Sequence, residues 1–310
     1  MDAALLTPLP RRERVANRST KVVVTGASLL VAAALAGVAI FLAVQGWPAL
    51  SAASSELPLN AVNLWALALP LAFGSLWAAV IALVMAVPVA IGVALFITWY
   101  APAWSRRFLG AVIDVLAAVP SVVYGLWGLM VLAPQMAKLY AWLSAHLGWI
   151  PFFAGKPSAS GRTILTAGIV LAIMVMPIIA AICREVFQRT PILSTEAAQA
   201  LGATKWETIR LSVFPFARSG IISGAMLGLG RALGETMATA MIISPVPFLM
   251  SVSVISSSNP NTVAAFIAQM FPEAHGIQVS ALVALGLVLF VITFLVNALA
   301  RRIARGRGEK

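Results

Sequence analysis

The sequence predicts an all-α membrane protein in which six helices cross the bilayer. Of the 310 residues, 61% are hydrophobic and only 10% are charged, whereas soluble domains have about 25% charged residues. Apolar runs of membrane length also recur along the chain, and a helix needs about 20 such residues to cross about 30 Å of hydrocarbon. One soluble core cannot bury this much apolar surface, so we expect lipid to surround the chain.

The apolar runs divide the chain into spans and connecting segments. We place the spans at 22–46, 73–99, 108–133, 163–183, 219–244 and 279–300. Around them we assign an N-terminal tail 1–21, an outer segment 47–72, a transmembrane domain 73–300 and a basic tail 301–310. The run 64–99 is too long for one straight crossing, so Pro70 and Gly74 are expected to separate an outer piece from the second span.

Basic residues orient the spans. Arginines and lysines cluster before the first span, between the second and third, between the fourth and fifth, and after the sixth, whereas 47–64 and 245–278 contain none. The positive-inside rule then places both termini in the cytoplasm. Because the basic residues lie beside apolar spans, the net charge of +11 does not indicate nucleic acid binding. The outer segments are either connecting loops or a docking surface for an external partner.

Residues that carry catalytic chemistry are scarce. The chain has one cysteine and two histidines that are distant in sequence, His146 and His275, so we expect no disulfide, no metal site and no catalytic triad. It also lacks the G-x-x-x-x-G-K-[ST] loop that cradles nucleotide phosphates. The sequence therefore indicates a non-enzymatic membrane protein.

The basic segment between the fourth and fifth spans predicts two short helices. Thr190 is placed to cap the first helix, with Pro191 at its first position, and Gly202 is placed to end it in a left-handed conformation. Thr204 and Glu207 have the spacing of a capping box that starts the second helix. From periodicity alone, the apolar stripe of this pair either lies on the membrane surface or inserts into a groove of a partner protein.

This segment resembles the EAA loop of permease subunits of ATP-binding-cassette (ABC) importers. The matching residues are Glu196, Ala197, Ala198, Gly202 and Pro215, at the spacing and in the topological position of that motif. The resemblance implies that residues 190–215 form a coupling loop that docks into the ATP-binding subunit.

The tail of the motif departs from the family pattern. Ser212 and Phe214 stand where the family has isoleucine and leucine. We also expect the second helix to end at Phe214-Pro215, before the fifth span.

The fifth span carries two rows of small residues and two charges. The rows, at intervals of four, are Gly220, Gly224 and Gly228, and Gly230, Gly234 and Ala238; such rows allow close helix packing. Arg231 and Glu235 are one helical turn apart and are expected to share a face. An uncompensated charge in the middle of a membrane-spanning helix costs at least about 2.5–3.5 kcal/mol.

Two interpretations of this charged pair remain open. Arg231 and Glu235 either neutralise each other and fix helix packing, or line a substrate pathway in which the Arg231 guanidinium attracts an anion and Glu235 restrains it. Asp114, in the third span, is expected to pair with Arg107 or with a neighbouring helix; a pathway role is the alternative.

Two segments, 118–128 and 230–238, are similar to the phosphate ABC-transporter permeases, PstC type, and the resemblance covers about residues 70–300. It implies a type I ABC importer permease fold and a phosphate import complex with a PstA-type permease, two PstB-type ATPases and an external PstS-type phosphate-binding protein. ATP and Mg²⁺ would then be bound by the ATPase, with no cofactor in this chain. The alternatives are a permease for sulfate, molybdate or another oxyanion, and an ion-coupled secondary transporter.

Overall fold

In a computed structural model, the backbone is described from residue 11 to 305 and the side chains from 20 to 302. Regular structure within this range is helical, apart from two isolated β-bridges. The helices are α1 (Arg11–Gly46), α2 (Leu64–Leu95), α3 (Ala103–Ala118), α4 (Ser121–Trp127), α5 (Ala133–Leu147), α6 (Ile164–Gln188), α7 (Ile192–Ala200), α8 (Lys205–Thr208), α9 (Phe214–Leu233), α10 (Met237–Ile242), α11 (Val263–Met270) and α12 (Ile277–Arg305). The all-α prediction is confirmed.

In the described part of the chain, six helical segments are long and apolar enough to cross a membrane. They are Thr20–Leu50, Leu64–Tyr100, Ser121–Leu147, Ile164–Gln188, Lys205–Leu233 and Ile277–Arg302. The number of spans is therefore as predicted. Helix α1 already begins at Arg11, inside the segment assigned to the N-terminal tail, and α12 extends to Arg305, inside the predicted basic tail. The remaining tail residues, 1–10 and 306–310, lie outside the described residues.

The predicted third span, 108–133, is wrong. The chain leaves the helix at Val119 and Pro120, whose ψ angles, 130° and 138° respectively, are those of extended backbone. Proline has no N–H to donate and disfavours helical geometry in the residue before it. Helix α3 is therefore a separate element, and the long apolar helix begins at Ser121.

The separation expected at Pro70 and Gly74 is also wrong, because α2 continues through both residues. A Cβ at Gly74 would collide with the backbone carbonyl of Asn261, so this glycine serves the close approach of a loop. The Ser75 hydroxyl accepts a hydrogen bond from Val263 N, at the start of α11, at 2.9 Å. Pro70 removes one helical hydrogen bond, and the contacts of Gly74 and Ser75 hold α2 in place about one turn later.

Helices α2, α6 and α9 form the centre of the bundle. An alanine recurs at every fourth position along α2, and all five of these side chains are at most 2% exposed: Ala78, Ala82, Ala86, Ala90 and Ala94. Small side chains at this spacing let two helices approach closely. On α6, a Cβ at Gly168 would lie 3.0 Å from Ile81 Cβ of α2, so the approach is close on both sides.

The bundle has two distinct ends. The loop end carries the segment 189–213 and the C-terminal part of α12. The far end carries three connections, 47–63, 148–163 and 243–276. Two of these connections pair there, because Val254 N donates to Phe152 O at 2.8 Å and Ser158 N donates to Ile255 O at 3.0 Å.

Candidate functional site: a charged cavity and a surface loop

Helix α9 packs closely against α6 through its first row of glycines. A Cβ at Gly228 would lie 2.7 Å from Ile179 Cδ1, and one at Gly224 would lie 3.3 Å from Ile182 Cγ2. Gly220 is likewise in contact with Val186. The close packing predicted from this row is confirmed.

The second row does not continue the helix, and the predicted span 219–244 is wrong. Helix α9 ends at Leu233 with Gly234 as its C-cap, and α10 starts only at Met237. Within the described part of the chain, no side chain or neighbouring helix lies within 4 Å of a Cβ at Gly230. Gly230 therefore faces open space instead of a packed neighbour.

Arg231 lies in this open space. It belongs to the last turn of α9, where the negative end of the helix dipole favours a cation. The side chain is half-buried, and its Nε is buried with no hydrogen-bond partner among the described residues. It lines a cavity of about 580 Å³ between α6, α9 and α12. An unsatisfied buried donor costs about 1–3 kcal/mol, so this guanidinium is positioned to bind an acceptor.

Glu235 does not share a helical face with Arg231, and the expectation that it does is wrong. Within residues 20–302, the ion pairs are Arg184 with Asp114 and Arg189 with Glu185. The Glu235 carboxylate instead accepts a hydrogen bond from Ala238 N at 3.0 Å and so caps the start of α10. Its side chain is buried.

Side chains satisfy the backbone where the helix breaks. The Thr236 hydroxyl donates to Gly234 O at 3.2 Å, and the Thr239 hydroxyl donates to Glu235 O at 2.9 Å. Irregular backbone inside an apolar span is tolerated only when its polar groups are paired within the protein or line a cavity. The motif around Glu235 therefore supplies the hydrogen bonds that the break requires.

The two segments that carry the resemblance to phosphate permeases meet in the structure. A Cβ at Gly125 of α4 would lie 2.8 Å from Ala238 Cα, and one at Gly128 would lie 2.8 Å from Ile242 Cδ1. Helices α4 and α10 thus pack through glycines and form one unit beside Arg231.

Asp114 lies near the loop end on α3, outside the six long apolar segments. Its Oδ1 is 3.4 Å from Arg184 Nη2 on α6. The structure therefore places the carboxylate with a neighbouring helix and not with Arg107.

Residues 190–208 form the two short helices expected from the sequence. Gly202 has a φ of +86°, and Glu207 N donates to the Thr204 hydroxyl while Thr204 N donates to the Glu207 carboxylate at 2.8 Å, which confirms the capping box. The predicted Thr190 cap is wrong, because Pro191 occupies the N-cap position and the Thr190 hydroxyl is buried without a partner among the described residues.

The loop presents an apolar surface to its surroundings. Its large apolar side chains are exposed, with Leu193 at 81% and Leu201 at 90%. Of the motif residues, Glu196 and Ala197 are exposed and Ala198 is half-buried. We call the surface of Ile192, Leu193, Leu201, Trp206 and Leu211 the loop surface.

The departures from the motif have structural roles. The Ser212 hydroxyl donates to Ser194 O at 3.1 Å and ties α7 to the turn that precedes α9. The Phe214 ring packs edge-on against Trp206 and Phe187. The expected break at Phe214-Pro215 is wrong, because a π-helical turn over Ile209–Val213 joins α8 to α9. Such a turn can accommodate the missing N–H of Pro215 within a continuous helix.

Three polar residues of the Arg231 cavity were missed by the sequence reasoning. Ser223 of α9 and Asn297 and Arg301 of α12 line the same cavity. Their only sequence signal is polarity within or beside an apolar span. Among the described residues, no three His, Cys, Asp or Glu side chains are close enough to hold a metal ion.

Comparison with known proteins identifies the family. Residues 86–308 match the model of the binding-protein-dependent transport system inner membrane component. The chain belongs to this family. It is thus a multi-pass membrane protein and a permease subunit of an ABC transporter.

Named relatives agree with the resemblance read from the residues. The phosphate transport system permease protein PstC 2 of Mycobacterium tuberculosis is 42% identical over 98% of this chain and 96% of its own length. PstC of Mycobacterium leprae is 49% identical over 73% of this chain and 71% of its own length. The PstC-type resemblance is therefore confirmed.

A solved structure supports the fold. A chain of a bacterial alginate ABC transporter, in complex with an alginate-bound periplasmic protein, aligns with a TM-score of 0.52 at 16% identity. The alignment covers 76% of this chain and 79% of the transporter chain. The type I importer permease fold expected from the sequence is confirmed.

Proposed function

We propose that this chain is a membrane-spanning permease subunit of an ATP-driven importer of inorganic phosphate. The observation that carries the proposal is Arg231, a guanidinium with an unpaired buried Nε that lines a cavity in the bundle. The identity to PstC proteins over nearly the whole chain supports phosphate as the substrate.

The cavity suits a weakly held oxyanion. The planar fork of arginine matches phosphate oxygens, and Arg301 of α12 supplies a second guanidinium to the lining of the same cavity. Among the described residues, no carboxylate lines this cavity. Binding must nevertheless be weak enough for release, and an open cavity with few polar groups meets this requirement. A second permease of the PstA type would complete the path.

The loop surface supports coupling to a motor. We propose that both termini and residues 190–215 face the cytoplasm, where a PstB-type ATPase dimer binds and hydrolyses ATP with Mg²⁺. Exposed leucines such as Leu193 and Leu201 suit insertion into a groove of that partner. A PstS-type protein would deliver phosphate to the far end.

Substitution of Arg231 tests the pathway. Arg231→Gln is expected to lower phosphate uptake by about tenfold or more, because a hydrogen bond to a charged group contributes about 1.5–3 kcal/mol. Assembly with the ATPase should remain intact. The control is Arg218→Gln, on the exposed start of the same helix, which should transport normally.

Two results would count against the proposal. Normal phosphate uptake by the Arg231→Gln complex would exclude Arg231 from the path. Stronger inhibition of uptake by sulfate or molybdate than by unlabelled phosphate would instead assign the permease to another oxyanion.

A further inference from the structure

A second cluster of arginines lies at the loop end, apart from the Arg231 cavity. Arg106 and Arg107 of α3 and Arg184 of α6 line a pocket of about 450 Å³ together with Asp114 and Gln188. The cluster contains three guanidinium groups and one carboxylate. We call it the α3 pocket.

The positive charge of the α3 pocket is only partly neutralised. Arg184 Nη2 lies 3.4 Å from Asp114 Oδ1 and 3.5 Å from Oδ2, so one arginine is paired with the one carboxylate. Arg106 Nε donates to Ala101 O at 3.0 Å, which positions this side chain but leaves its charge. Two of the three positive charges therefore have no acidic partner among the described residues.

Glycine at position 110 shapes the pocket. A Cβ there would collide with the Arg184 guanidinium, so the absence of a side chain lets Arg184 lie flat against α3. The three arginines are thereby brought to one site from two helices.

The face of α3 next to the pocket is apolar and exposed. Trp104, Phe108, Val112 and Val115 recur at helical spacing, and Trp104 is 81% exposed. A helix with an aromatic and apolar stripe beside arginines is typical of a segment that lies at the membrane interface. The stripe and the pocket would therefore meet acyl chains and headgroups of the same lipid layer.

We propose that the α3 pocket binds the phosphodiester headgroup of an anionic phospholipid. The guanidinium groups match the phosphate oxygens, and basic pockets beside membrane helices are suited to such headgroups. The adjacent stripe places the lipid acyl chains against Phe108 and Val115. Helix α6 contributes to both the α3 pocket and the Arg231 cavity, but the two sites share no lining residue.

Lipid association can be measured on the full-length chain purified with its associated subunits. Spin-labelled phosphatidylglycerol in phosphatidylcholine nanodiscs gives the relative association constant of the anionic lipid. The double variant Arg106→Gln/Arg107→Gln should lower this constant at least about fivefold, and the control Arg218→Gln/Arg302→Gln, which removes equal charge from the same end outside the pocket, should retain the wild-type value.

A second variant changes the constant in the opposite direction. Asp114→Asn removes the carboxylate that competes for Arg184, so phosphatidylglycerol should associate about fivefold more strongly. This gain distinguishes a binding site from a loss of folding.

Several outcomes would overturn the proposal. One is that the double variant retains the wild-type association constant. Another is that the control variant lowers the association constant as much as the double variant does. Inorganic phosphate would displace the labelled lipid where sulfate at equal ionic strength does not, which would assign the pocket to free phosphate. The double variant would lose its associated subunits, which would make the pocket a protein contact.

Discussion

The packing of α9 against α6 predicts a graded response to alanine at its glycines. A Cβ at Gly220 would lie 2.7 Å and 2.9 Å from Val186 Cγ1 and Cβ, one at Gly228 would lie 2.7 Å from Ile179 Cδ1, and one at Gly224 would lie 3.3 Å from Ile182 Cγ2. A Cβ at Gly230 would have no neighbour within 4 Å among the residues that the structure describes. The four positions thus share one helix but differ in available space.

Two opposing terms set the free energy of each substitution. Alanine gains about 0.5–1 kcal/mol over glycine in a helix, whereas overpacking costs about 1–3 kcal/mol. Val186 is β-branched and stiff, so Gly220→Ala should destabilise by about 2 kcal/mol. Gly228→Ala should cost about 1 kcal/mol because only a side-chain tip must move, Gly224→Ala should be near neutral, and Gly230→Ala should stabilise by about 0.5–1 kcal/mol.

Cys183 provides the assay. It is the only cysteine of the chain and is fully buried on α6. Reaction of its thiol with a fluorogenic maleimide therefore reports opening of the α6 core, and 1 kcal/mol of destabilisation should increase the labelling rate about fivefold when opening is rapid. Equal labelling rates for Gly220→Ala and Gly230→Ala would refute the reasoning, because the distances to α6 would then not determine stability.

Three further predictions concern the break, the loop surface and the far end. Glu235→Gln should keep α10 folded because an amide oxygen still accepts from Ala238 N, whereas Glu235→Ala should increase hydrogen exchange in 237–242 by about fivefold; equal exchange in the two variants would contradict the capping role. Leu201→Ser should lower ATPase copurification about tenfold with no loss of thermal stability. Val62→Ser, which changes another highly exposed apolar residue at the far end, should leave copurification unchanged. Asn259→Ala should destabilise the far end by about 2–4 kcal/mol, because its side chain accepts from Ile164 N and donates to Arg162 O; unchanged proteolysis of 148–163 would exclude this role.

The parts of the fold that depend on local pattern were predictable. Six apolar runs, the glycine row from Gly220 to Gly228 and the capping box at Thr204 were each evident from spacing, and each is present. These features require only a periodic face or a side chain that reaches its own backbone.

The positions of helix breaks were not predictable from hydropathy. Val119-Pro120 and Gly234 interrupt apolar runs, whereas Pro70 and Pro215 lie within continuous helical segments. Whether such a residue breaks a helix depends on packing and on adjustments such as the π-helical turn before Pro215. The cavity was missed for a related reason, since Arg301 and Arg231 come to line one cavity only after α12 packs beside α9.

The helix is continuous up to Leu233 and breaks at Gly234, and both features are relevant to transport. Lys205–Leu233 is one continuous helical segment, so under the proposed function a displacement of Trp206 and Leu211, the part of the loop surface on this segment, would be transmitted to Arg231 along the helix. Beyond Gly234 the chain is held separately, because α10 packs on α4 at Gly125 and its last turn accepts hydrogen bonds from Arg162 Nη2 at Met241 O and Ile243 O. Under the proposed function, motion of α9 would therefore change the surroundings of Arg231 while Glu235 stays in place beside α10, and such a relative displacement of two elements is what alternating access requires.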